Sequence, residues 1–169
     1  MNALAGLNAR VWRLGADVDT DALAPGHAMK HGLDTIARHC LEALRPDFAA
    51  GVQPGDVIVA GPNFGIGSSR EQAAAVLVQL GVAAVIAPSY SGLYFRNAFN
   101  VGLLLLTCAR AEALQEGECI VFDGAAGRIV RADGDVLTAE PIAVFLLDMA
   151  RAGGLLAQLQ QRRFSRSSS

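Results

Sequence analysis

The apolar positions of this chain fall into two rhythms. Between residues 56 and 107, short continuous apolar runs are separated by segments of helical character. The runs "DVIVAG" (56–61), "AAVIAPS" (83–89) and "LLLLT" (103–107) predict buried strands. Between them, "REQAAAVLVQLG" (70–81) is made of good helix formers and closes on Gly81, while "SGLYFRNAFNVG" (91–102) predicts a shorter helix. Strand–helix–strand–helix–strand with short connections implies a parallel βαβαβ core with right-handed crossovers. From residue 118 the rhythm changes. "ECIVFD" (118–123), "GRIVRA" (127–132) and "DVLTAE" (135–140) are short strands parted by Gly and Asp turns. They predict an antiparallel ribbon or a second sheet.

The flanks are read the same way. "ARVWRLG" (9–15) alternates as a strand does, and "ADVDTDALAPG" (16–26) has the composition of a loop. "LDTIARHCLEAL" (33–44) places Ile36, Cys40 and Leu44 on one helical face, and Pro46 stops it. A further helix is expected from Pro141, broken at Gly153–Gly154 and then resumed. Trp12, Phe122 and Phe145 are expected in the core. With no internal repeat and no linker, residues 1–163 read as one domain, and 164–169 ("FSRSSS") as a disordered tail.

Composition narrows the function. Hydrophobic residues make up 52% of the chain and mean hydropathy is +0.34. Either a fully buried parallel sheet or a surface covered by another subunit accounts for this. A formal net charge of -2 argues against a nucleic-acid surface and gives no case for an anionic membrane. The longest apolar stretch is broken by Gln79 and Gly81, so no membrane span is expected. The opening residues lack a secretory pattern. Cys40, Cys108 and Cys119 are scattered without a C-x-x-C pairing. Both point to reduced thiols in a cytoplasm, and the thiols form no iron–sulfur or zinc ligand set.

The chemistry concentrates in "GPNFGIGSSREQAAA" (61–75). Ser68-x-x-Glu71 fits a capping box for the next helix. That leaves Gly65, Gly67 and Arg70 without a role. The glycines let a ligand or another backbone approach. Arg70 offers a planar fork for a carboxylate, and the loop comes after a strand of a parallel sheet, where α/β proteins bind ligands. A carboxylate site accounts for all of these. The stretch is neither a dinucleotide fingerprint nor a P-loop. Upstream, Asp17, Asp19 and Asp21 fail the EF-hand pattern. They are either turn formers or an acid that holds a catalytic partner.

"DVDTDALAPG", "GDVIVAGPNFGIGSSREQA", "YFRNAFNVGL" and "GGLLAQLQQRR" together resemble, over residues 10–163, the small subunits of the 3-isopropylmalate dehydratase family. The resemblance implies an α/β swivelling domain of the aconitase superfamily, layered β/β/α. It also implies a hydro-lyase active only with a large subunit, whose [4Fe–4S] cluster acts as Lewis acid on the substrate hydroxyl. By the same resemblance Ser68 is the general base, Asp21 an active-site acid, and Ser69 and Arg70 carboxylate binders.

One segment departs from the family. Where a tyrosine–leucine–arginine-like stretch is usual, this chain has "HAMKHG" (27–32), about one residue short. Lys30, the only lysine among fourteen basic residues, stands in the arginine's place. It keeps the cation and loses the bidentate geometry. Ala28 replaces the tyrosine and is expected to open space, with Met29 as an adaptable apolar wall. This favours an alkyl-substituted malate, with 3-isopropylmalate in leucine biosynthesis as the default. The alternatives are a related dehydratase of homoaconitate, methylmalate or dimethylmalate type, or a non-catalytic carboxylate-binding domain.

Overall fold

Four strands run parallel and set the frame: β1 (Ala5–Arg13), β2 (Val57–Val59), β3 (Ala84–Ala87) and β4 (Leu104–Thr107). Three more, β5 (Cys119–Asp123), β6 (Arg128–Val130) and β7 (Val136–Thr138), extend the sheet antiparallel from the other edge of β1. The strand order is β4-β3-β2-β1-β5-β6-β7. This is a computed structural model, and it describes residues 4–167.

The burial of each strand reflects its sequence. β2 and β3 are buried at every position, as a parallel sheet covered on both faces requires. In β5–β7 alternate residues are buried: Ile120, Phe122, Ile129 and Leu137 face inward and their neighbours face solvent. β1 serves both halves. Val11–Arg13 pairs with β2, Ala5–Arg10 pairs with β5, and the register shifts between Gly6 and Ala9. The two β layers therefore share one strand, which begins at Ala5 rather than at residue 9.

The helices are α1 (Thr20–Leu23), α2 (Leu33–His39), α3 (Phe48–Gly51), α4 (Gln72–Gln79), α5 (Gly92–Asn100), α6 (Val144–Ala152) and α7 (Leu155–Ser167). α2 packs on α4, α4 on α5, and α5 on α6. Several differ from the sequence expectation. The helix expected over 33–44 ends at His39. Leu41 takes φ 60 and donates its N–H to the Ala22 carbonyl at 2.8 Å. That tertiary bond replaces the next helical turn, so Leu44 is exposed and shares no face with buried Cys40.

The 16–26 loop contains α1, because Asp19 caps it by accepting from the Ala22 N–H at 2.8 Å. α6 starts at Val144, three residues past Pro141, and Phe145 is exposed rather than in the core. The break at Gly153–Gly154 is present. A Cβ on Gly154 would collide with the Asn100 carbonyl, so the turn seats tightly on the end of α5. α7 runs to Ser167, so residues 164–167 of the expected tail are helical; 168 and 169 lie outside the described residues.

A buried carboxylate fixes β1 to β2. Asp56 accepts from Arg10 Nη2 at 2.7 Å, Trp12 Nε1 at 2.9 Å and the Gln53 N–H at 2.9 Å. Burial pushes its pKa up, but these three donors outweigh that and hold it below the ordinary carboxylate value. Trp12 stacks edge-on against Phe48 with ring centroids 5.2 Å apart.

Candidate active site

The site lies where the chain leaves the carboxyl ends of β1 and β2. The two exit loops run side by side. Leu14 donates to the Val59 carbonyl, Gly61 to Gly15, Asp17 to Pro62, Gly65 to Val18 and Thr20 to Ile66, all within 2.7–3.0 Å. This ladder continues the parallel pairing beyond the sheet and delivers both sequence motifs to one place. A third loop joins from β3. Phe64 donates its N–H to the Ser89 carbonyl, and the Ser91 N–H donates to Phe64.

Each of the three alternate aspartates has its own partner. Asp17 Oδ1 accepts from Asn63 Nδ2 at 2.9 Å, and both residues have positive φ, a region Asn and Asp tolerate better than most. Asp19 caps α1. Asp21 Oδ1 accepts from Arg70 Nη1 at 3.1 Å and from the Gly26 N–H at 3.0 Å. The Arg70 bond, and secondarily the Gly26 bond, hold the Asp21 carboxyl below its ordinary pKa. Asp21 is thus a standing anion and a counter-ion.

Arg70 Nη1 also donates to the Ala24 carbonyl at 2.9 Å. One corner of its guanidinium is therefore fixed by α1 and by the residue at its carboxyl end. Among the described residues nothing takes the N–H groups of its Nε–Nη2 edge. That edge is the one that grips a carboxylate bidentately.

Ser68 and Ser69 are exposed. The expected capping box does not form. α4 starts at Gln72, its N-cap position is Glu71, and no side chain caps it. Ser68 instead accepts the Arg70 N–H on its carbonyl at 2.8 Å, a tight turn before the helix. No described residue hydrogen-bonds either serine hydroxyl. Both hydroxyls stand uncommitted on the residues that precede Arg70 and the uncapped start of α4, where partial positive charge collects.

The groups that approach the glycines belong to the protein itself. A Cβ on Gly65 (φ 84) would run into the Tyr94 ring, and one on Gly67 (φ 106) would press on Thr20 Oγ1 at 3.1 Å. Tyr94 is buried, donates its hydroxyl to the Ala73 carbonyl at 3.0 Å, and stacks edge-on with Phe64 at 5.3 Å. The glycines therefore shape the loop and do not clear room for a ligand.

The 27–32 segment is a 3-10 helix, Gly26–His31. Ala28 is fully buried, with its N–H on the Pro25 carbonyl, so it is core and opens no substrate space. Met29 is half-buried against the core and Lys30 is exposed. The segment reaches the site through Gly26, whose N–H is held by Asp21. Sequence reading missed the Asp17–Asn63 tie and the Ala24 carbonyl under Arg70. An Asp and an Asn, each in a loop that leaves a predicted strand, were the available signal for the first; a backbone carbonyl leaves none.

The thiols do not assemble into a cluster site. Cys40 and Cys108 are buried, with burial pushing Cys40 up to about 12. Cys119 is exposed on β5. No cysteine belongs to a potential metal-binding group among the described residues.

The fold and its serine–serine–arginine loop fall in a recognised class: the family model of the aconitase C-terminal domain matches residues 46–111, which contain that loop. The likeness extends further. The 3-isopropylmalate dehydratase small subunit of Halothermothrix orenii is 38% identical over 157 residues, covering 91% of this chain and 95% of that one. The methanogen homoaconitase small subunit of Methanothermobacter thermautotrophicus is 41% identical over 152 residues, covering 89% and 88%. The crystal structure of the 3-isopropylmalate dehydratase of Methanocaldococcus jannaschii superposes with a TM-score of 0.89 at 35% identity, covering 98% of each chain. This chain belongs to the family of 3-isopropylmalate dehydratase small subunits, hydro-lyase components of the aconitase type. Among the described residues no helix is long and apolar enough to cross a membrane.

Proposed function

We propose that this chain forms one wall of the active site of a two-subunit dehydratase acting on a substituted malate, 3-isopropylmalate in leucine biosynthesis. The observation that carries the reading is the Arg70 guanidinium, anchored at one corner by Asp21 and Ala24, open along its other edge, and directly following two uncommitted serines in the chain. The open edge takes a substrate carboxylate, with the Ser69 hydroxyl completing its hydrogen bonds. Ser68 then removes the proton on the carbon next to that carboxylate.

A serine hydroxyl is a weak acid, so its deprotonated form needs a positive field. The Arg70 cation and the uncapped start of α4 supply one, and both strengthen when water is excluded. This chain alone leaves the serines open to solvent. A large partner subunit covers them and brings the [4Fe–4S] cluster. Met29 and Lys30 lie on the segment that reads the rest of the substrate, with Lys30 as a point cation for a second carboxylate. Exposed Cys119 suits a reducing compartment such as the cytoplasm.

A second reading, a homoaconitase-type dehydratase, is favoured by Lys30 if a third carboxylate must be met. Reconstitution with a cluster-bearing large subunit tests both. Ser68→Ala is expected to lower kcat by about 10^2–10^4-fold with substrate binding kept. Retained turnover in that variant refutes the role of Ser68, and preference for a tricarboxylate over an alkyl malate selects the second reading.

A further inference from the structure

We propose that His27, His39 and Glu42 form a site for one borderline divalent cation, Zn2+ or Ni2+, that clips the 3-10 helix Gly26–His31 to the end of α2. The three residues come from different elements and match no ligand motif along the chain. His27 lies on the 3-10 helix, His39 is the last residue of α2, and Glu42 sits in the next turn. The fold brings them to one point. Glu42 Oε1 is 2.7 Å from His27 Nε2, and Oε2 is 2.7 Å from His39 Nδ1. The two rings meet edge to face with centroids 4.8 Å apart.

The donor set is suited to such an ion. Two imidazoles and a carboxylate are common zinc ligands, and three protein ligands leave positions for water. All three ligand atoms lie within 4.8 Å of one another. Around a tetrahedral ion with bonds of about 2.0–2.1 Å they stand roughly 3.3 Å apart. A separation of 4.8 Å closes by about 1.5 Å and the two 2.7 Å contacts open by about 0.6 Å, on side chains that are partly exposed. In the hydrogen-bonded triad His27 Nε2 and His39 Nδ1 donate to the Glu42 carboxylate, so metal binding moves each of these protons to the ring's other nitrogen, through water, and the cation takes the lone pair thus freed; the net change is a tautomer shift with no redox step.

The ion would cross-link two elements now joined there by the Glu42 hydrogen bonds and the contact of the two rings. Its effect on substrate recognition rests on the proposed function, because the clipped segment carries Met29 and Lys30 and is held at its start by Asp21. Binding itself does not rest on that function.

The test uses the full chain, stripped with chelator and carrying Cys119→Ser to remove the exposed thiol as a rival ligand. Calorimetry with Zn2+ is expected to show one equivalent bound. His27→Ala and His39→Ala should each weaken it tenfold or more. Co2+ should give visible d–d absorption without thiolate charge transfer, and hydrogen exchange of amides 26–31 should slow when metal is bound. No saturable uptake, or uptake indifferent to both histidine substitutions, overturns the site and leaves a hydrogen-bonded triad only. Failure of the Ser68→Ala experiment would instead refute the catalytic reading and leave these titrations unaffected.

Discussion

In the proposed function Arg70 binds through the half of its guanidinium that the described residues leave open. Asp21 and the Ala24 carbonyl fix its angle, and a fixed fork loses less freedom on binding than a mobile one. Arg70→Lys keeps the charge and loses the bidentate edge. KM is expected to rise tenfold or more in steady-state assays of the reconstituted enzyme, with a smaller fall in kcat. Asp21→Asn frees the fork and should act in the same direction. The sign of the Asp21 shift sets the pH dependence. Asp21 has a lowered pKa in the folded chain, so its anion is present at neutral pH and is lost only as pH falls through that lowered value. The wild-type KM should therefore show no inflection from this pair between about pH 5 and 8. At this scale much was legible. Ser68, Ser69 and Arg70 are contiguous, and adjacent chemistry survives in a string of letters. The capping box misled because S-x-x-E records spacing and not where the helix begins. The Ser68 carbonyl takes the Arg70 N–H, and the helix starts at Gln72.

At the scale of elements, the loop depends on the side chains packed behind it. The Tyr94 ring fills the space where a Gly65 side chain would go. Gly65→Ala must shift either the loop or α5, at a strained positive φ. A loss of about 1–3 kcal/mol is expected, measured by urea unfolding, with turnover lost together with stability. Asp56 is a second dependency. Asp56→Ala strands the Trp12 and Gln53 donors and the Arg10 charge, and should cost about 2–4 kcal/mol. Its folded pKa is lowered, so its contribution is complete above the unfolded value of about 3.9 and is lost as pH falls through the folded value. Wild type should therefore lose stability more steeply below about pH 4 than Asp56→Asn does. β2, β3 and β4 were legible because a strand buried on both faces is an unbroken apolar run. The end of α2 was not, since the bond from Leu41 to Ala22 is tertiary and periodicity continues past it. Ala28 was misplaced for a different reason: a small residue among polar ones gives no sign of being buried.

The whole molecule has open apolar surface as well as an open site. Val144, Phe145, Leu156 and Phe164 on α6 and α7 are each more than 60% exposed, so the high hydropathy has two sources, the buried parallel strands and this face. Ser68 and Ser69 are exposed too, and the base proposed at Ser68 would be incomplete until something covers it. Association and chemistry should then be separable. Removing the Ser68 hydroxyl deletes one oxygen from a turn that is fixed by backbone bonds, through the Ser68 carbonyl and the 14–20/59–66 ladder. The shape offered to a large subunit is unchanged. Ser68→Ala chain added to wild-type chain at a limiting amount of large subunit should therefore lower activity in proportion to its mole fraction. Half the activity is expected at equal amounts, because the two forms compete equally for the partner. Activity unchanged by excess variant would show that Ser68 is needed for assembly. Activity restored by the variant alone would show that the proton is removed elsewhere.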